Sequence, residues 1–166
     1  MVAAGVAIAA LIVGCGEVSG TAQPVSNELF DPCAVVPDEA IRAAGADPAV
    51  VSDHLPGGFA SQNFDPCVWS SATYFLSVTS SRLTAEQVVD DLRIVERTPV
   101  SLDGRRDAFI LRRPDDMGTS PCDIAFPWTQ GMIIVNVESK LSAADNADNC
   151  ERALNAAQIV NTFLPT

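Results

Sequence analysis

Five cysteines, at positions 15, 33, 67, 122 and 150, constrain this chain more than any other feature. Cys15 stands apart, at the end of an apolar run, while the other four lie within a mixed-polarity stretch. Setting Cys15 aside leaves an even number, which in an exported protein reads as two disulfides. Four cysteines admit three pairings. Cys33–Cys67 and Cys122–Cys150 are favoured, because each closes a moderate local loop, contributing about 3.5–4 kcal/mol on the chain-entropy model. Metal binding is the weaker use of these residues: no pair is spaced C-x-x-C, and the only histidine is His54.

Residues 1–14 are Met, Val, Ala, Gly, Ile and Leu only. The run is too short for a settled transmembrane helix, and Gly5 and Gly14 make it a poor soluble one. It reads as the apolar region of a lipoprotein signal peptide, with Leu11-Ile12-Val13-Gly14-Cys15 as its processing site. Cys15 would then become the first residue, carry a lipid such as palmitate, and hold the rest on the outer face of a cell membrane. No Lys or Arg precedes the apolar run, so either the start lies further upstream or the export signal is weak. Residues 15–29 are rich in Gly, Ser, Thr, Gln and Pro and read as a flexible tether. Residues 30–166 are then a single extracytoplasmic domain.

The formal net charge is −11, and none of it belongs to the leader. Such a balance opposes nucleic-acid or anionic-membrane binding and suits solubility. The apolar fraction of 48% argues against disorder.

Within the domain, Pro37 is suited to a first helical position, with Asp38 and Glu39 near the positive helix end and Gly45 as a stop. Residues 46–63, with Pro48, Pro56, Gly57 and Gly58, read as a long loop. Val68–Ser71 and Tyr74–Ser80 read as two strands, since Tyr74, Leu76 and Val78 alternate with Phe75, Ser77 and Thr79. Thr84-x-x-Gln87 is a capping-box start. Val88, Val89, Leu92 and Val95 form the helical face behind it, and Pro99 ends the pattern. Residues 106–112 read as a strand and 113–121 as a loop. Cys122–Phe126 and Met132–Glu138 read as a hairpin. Asp148 is placed to cap a helix over 149–164, with Cys150 in its first turn. Runs of adjacent strands predict an α+β fold, an antiparallel sheet with helices packed on one face and two disulfides bracing it.

The lipid site at Cys15, Asp31-Pro32-Cys33 before a short helix, Cys67-Val68-Trp69-Ser70 opening a hairpin, Cys122 before a second hairpin and Cys150 in a C-terminal helix together resemble a known family. It is the small actinobacterial lipoproteins classed as domain of unknown function 3558. The resemblance covers most of residues 30–164. It implies envelope localisation and a disulfide-braced α+β domain, and no activity. A likeness to the extracytoplasmic sensor domains of actinobacterial receptor kinases is at fold level only.

No catalytic, cofactor or metal set stands out. His54 lies in the Pro/Gly-rich loop, and there is no Gly-x-Ser-x-Gly elbow. Asp115-Asp116 and Asp145–Asn149 lack calcium-loop spacing and read as a solvated loop and a helix cap. Arg105-Arg106 and Arg112-Arg113 are basic spots that suit strand-edge solubility. There is no phosphate loop, and no basic-aromatic pattern of a nucleic-acid binder. The leading expectation is a non-enzymatic, membrane-anchored binding or accessory module, contacting an envelope protein or a small ligand through the 46–63 and 113–121 loops. The alternative is a small-molecule or lipid carrier. Trp69, Tyr74 and Trp128, with Phe109 and Phe126, would wall a pocket between sheet and helices. An envelope hydrolase working through His54 or acidic pairs comes third.

Overall fold

The computed structural model describes residues 28–54, 62–115, 119–143 and 147–166. The elements are α1 (Pro32–Val35), α2 (Asp38–Ala43), β1 (Asp47–Ser52), β2 (Phe64–Ser70), β3 (Tyr74–Ser81), α3 (Ala85–Asp91), β4 (Glu96–Leu102), β5 (Arg105–Arg112), β6 (Cys122–Trp128), β7 (Gly131–Ser139) and α4 (Asn149–Val160), followed by a 3₁₀ turn over Asn161–Phe163. The seven strands form one sheet in the order β1-β2-β3-β7-β6-β5-β4, and every neighbouring pair is antiparallel. The expected α+β architecture is present.

Strand alternation builds two cores from one sheet. Cys67 and Trp69, Leu76 and Val78, Ile133, Val135 and Val137, and Ile124 and Phe126 face one way, and Ile41, Ala153, Ala157 and Val160 of α2 and α4 close over them. Met132, Ile134, Ala125 and Leu111 face the other way and receive Val88 of α3. Three helices therefore share the expected face, while α3 covers the opposite one. The link from β3 is short, and the Thr84 capping box starts α3 at once: the Thr84 hydroxyl accepts from Gln87 N, and the Gln87 side chain accepts from Thr84 N.

Local differences from the sequence reading have identifiable causes. Pro37 is the N-cap of α2 rather than its first residue, in extended backbone with ψ 155°. Gly45 ends that helix at φ +83°, as a terminating glycine should. α3 stops at Asp91, and Arg93 turns the chain at φ +52°. Val95 is thereby cast outside the helix and is 69% exposed. Pro99 does not merely end a helix but lies inside β4, opposite Phe109. That strand is the outer one of the sheet, where a missing N–H costs no ladder bond. The loop read over 46–63 contains β1, which shows no alternation and is defined by its pairing with β2. α4 ends at Val160 rather than 164, and the 3₁₀ turn carries Leu164 back to the core.

Both favoured disulfides are present. Cys33–Cys67 ties α1 to β2 with Cα atoms 5.2 Å apart. Cys122–Cys150 ties β6 to the first turn of α4 with Cα atoms 5.1 Å apart. Asp148 caps α4 by accepting from Cys150 N, as its position before the helix predicts.

Candidate functional site

Cys15 and the leader, Asp116, and Asp145 and Asn146 fall outside the described residues. The three aromatics expected to line a ligand pocket all belong to the main core or pack against it. Trp69 and Tyr74 are buried in the main core. The Tyr74 hydroxyl donates to the carbonyl of Ala44 at 2.8 Å, and the Arg152 guanidinium lies 4.9 Å from its ring. Phe126 is fully buried in the same core, whereas Phe109 packs on the opposite face. Trp128, at the β6–β7 turn, keeps a partly exposed edge. Its Nε1 donates to Ser81 O at 3.3 Å, and its ring meets Phe30 edge-on at 5.0 Å. Packing thus accounts for Trp69 and Tyr74.

The basic spots engage the protein's own groups. Arg105 donates to Pro165 O at 2.7 Å and to Leu164 O at 2.9 Å, pinning the C-terminal turn to β5. Arg112 lies 3.7 Å from Glu96 and 3.9 Å from Asp148. The Arg106 side chain is outside the described set. His54 stays on the surface, its Nδ1 against Asp53. Asp115 accepts from Thr119 N at 2.8 Å and Ser120 Oγ at 2.7 Å, so it ties its own loop. Among the described residues, no group of three His, Cys, Asp or Glu is placed to hold a metal.

On the α3 side of the sheet a polar row crosses three strands: Ser77 of β3 opposes Asn136 of β7, which opposes Asp123 of β6. All three are buried. Asn136 Nδ2 donates to Asp123 Oδ1 at 2.8 Å and to Cys122 O at 3.2 Å. Arg113 Nε sits 3.0 Å from Asp123 Oδ2. That contact is a close ion pair without hydrogen-bond alignment. Burial pushes the Asp123 carboxyl above the ordinary carboxylate range, against the pull of Arg113 and the Asn136 bond. Glu138 is raised too, by burial and by the Asp123 charge, with Arg113 opposing. In sequence this row shows only as the polar half of an alternating strand pattern, which reads as a solvated face rather than a buried one.

The sheet's two edges differ. At β4, Glu96, Arg97, Thr98 and Pro99 are exposed and guard the edge with charge and a missing donor. Arg97 also stacks 3.7 Å over Phe109. At β1 the register is interrupted by a bulge between Asp47 and Val51. Val50 and Val51 are each 53% exposed, and Asp47 and Asp53, both exposed, stand on either side. A shallow, open groove of about 630 Å³ runs beside the start of this strand, lined in part by Arg42, Asp47, Pro48, Val50, Ser70 and Ser71. Its far wall is held by Lys140, whose Nζ donates to Ser70 Oγ at 2.6 Å and lies 4.9 Å from the Phe75 ring. Sequence reasoning placed recognition on 46–63 but missed the strand. The available signal was the β-branched pair Val50-Val51 between two aspartates.

A family model described as a protein of unknown function, DUF3558, matches residues 10–162. No curated protein matches the chain, and neither does any solved structure.

Proposed function

The chain belongs to the DUF3558 family, and we propose that it is a lipid-anchored cell-envelope protein whose domain serves as a non-enzymatic binding or accessory module. The observation that carries this reading is the pairing of all four domain cysteines in disulfides, beside a fifth that closes an apolar leader. Two structural bridges suit an oxidising compartment outside the cytoplasm. The family match begins five residues before Cys15 and so includes it. No helix among the described residues is long and apolar enough to cross a membrane. Attachment in this reading therefore rests on Cys15, where each buried methylene of an acyl chain contributes about 0.8 kcal/mol. The exposed valines of β1 and the adjoining groove supply the module's contact surface.

The test is fractionation of cells expressing the full chain. Wild type is expected in the membrane fraction, with an acyl adduct on Cys15 by mass spectrometry. Cys15→Ala is expected in the soluble fraction or as unprocessed precursor. Unchanged partitioning and mass for the variant would refute the anchor.

A further inference from the structure

We propose that Asp123, Glu138 and Arg113 form a proton-binding latch, which takes up one proton in acid and thereby fastens the two described ends of the β5–β6 connection, 113–115 and 119–121, to the sheet. The proposal stands apart from the envelope reading and needs neither the anchor nor a partner.

Charge balance is its starting point. Asp123 is buried, and Glu138 and Arg113 are partly so. Two carboxylates and one guanidinium share the cluster, so with all three ionised it carries one uncompensated negative charge. A charge left in such a place is costly, and a single proton removes it. Asp123 Oδ1 already accepts from Asn136 Nδ2, whereas Oδ2 has the unaligned contact with Arg113 Nε. The two carboxyls act on one another and share Arg113, so they titrate as a pair. Few other charges reach them. Arg112, at the end of β5, faces the other side of the sheet, toward Glu96 and Asp148. Asp115 is turned to Thr119 N and Ser120 Oγ. Lys140 is engaged by Ser70 Oγ and lies against Phe75, while Arg97 of β4 stacks on Phe109. From β3 the neighbour in the row is Ser77, which is uncharged. None of the α3 carboxylates Glu86, Asp90 and Asp91 acts on either member of the pair.

The cluster grips the connection at both ends. Arg113 is the first residue after β5, and Thr119 hydrogen-bonds Glu138 through its side chain. The Thr119 carbonyl accepts from Ser139 N at 3.2 Å and from Asn149 Nδ2 at 2.9 Å, which carries the attachment on to the first turn of α4. Lifting either end returns the carboxyls toward water, where they hold a proton less tightly. Both are raised in the fastened state, so by linkage the proton favours fastening, and fastening weakens as the pH climbs.

The test is amide exchange by NMR on the full chain in detergent, corrected for the intrinsic pH dependence of exchange. It is read at Thr119 N and Ser139 N, both hydrogen-bonded at the latch. In the wild type, local opening at these amides is expected to grow about tenfold from about pH 5 to about pH 7.5, within the limit of about tenfold per pH unit that one proton sets. Glu138→Gln, at a half-buried position, leaves Arg113 balanced by Asp123 alone. Its profile is expected to be flat, at the low level of the fastened state. Asp123→Asn is expected to flatten the profile in the same way. Arg113→Gln leaves two carboxylates uncompensated, so opening exceeds that of the wild type near neutrality and falls more steeply toward acid. A merely structural role would loosen all three variants at every pH. A flat wild-type profile, opening that grows toward acid, or a Glu138→Gln variant that keeps the full wild-type slope would each overturn the proposal. If Asp123→Asn does not fold, Glu138→Gln decides the outcome.

Discussion

Two glycines show how single atoms decide local structure. A Cβ on Gly45 would come 2.5 Å from the Tyr74 hydroxyl, so this helix stop is also the seat of a core tyrosine. At Gly131 the φ is +152°, and a Cβ would meet the Ser81 carbonyl oxygen at 2.1 Å. That oxygen is backbone and cannot swing away. Gly131→Ala is expected to cost about 2–4 kcal/mol, read as a lower midpoint in denaturant unfolding. The sequence shows a glycine suited to a turn there, but the close approach of another strand's backbone is invisible in it. Glu138 provides a pH test at the same scale. Its carboxyl is raised in the fold, so the folded state holds its proton to higher pH than the unfolded chain does. Stability from this group is present at acid pH and is lost as the pH climbs out of the ordinary carboxylate range toward neutrality. Glu138→Gln lacks this dependence. The wild type is therefore expected to lose stability relative to the variant over that interval, in paired denaturant titrations. A wild type that gains stability relative to the variant as the pH rises would contradict the assignment.

Elements were legible in proportion to how locally they are determined. α3 begins where Thr84 and Gln87 cap one another, and α4 begins at Asp148, because those signals lie within four residues. The central hairpins follow from alternation at Leu76, Val78, Ile133 and Val135. β1 and β4 escaped for the opposite reason. Neither alternates, and each is a strand because a neighbour supplies its ladder. Pro99 looks like a terminator until the strand around it is known to be an outer one. The side of the sheet on which α3 lands was equally hidden: Val88 and Leu92 declare an apolar face but not which of two cores it joins. The disulfide between β6 and α4 is the element-scale contact that spacing did anticipate. Replacing both Cys122 and Cys150 with alanine is expected to cost about 2–5 kcal/mol and to loosen α4 first, with faster amide exchange over residues 149–160. Uniform loss of protection across the sheet would mean that the bridge holds the whole domain instead.

At the scale of the whole molecule, the candidate site was legible only as a region. Residues 46–63 were marked by length and by Pro and Gly, yet the exposed valines between Asp47 and Asp53 acquire meaning only once β1 is seen as the last strand. The aromatics that stood out in sequence, Trp69 and Tyr74, are the ones the core absorbs. Bulk apolarity draws the eye to packing, while a surface for recognition is assembled from modest residues by topology. The bridge between Cys33 and Cys67 has a mechanical corollary. Tension applied between the two ends of the chain crosses from Cys33 to Cys67 through the sulfur–sulfur bond and bypasses the thirty-three residues between them. α2 and β1 lie wholly inside that shielded segment. A pull on the chain ahead of Cys33 would be borne by β2 and the strands beyond it, and β1 would stay unloaded while the rest of the domain is under strain.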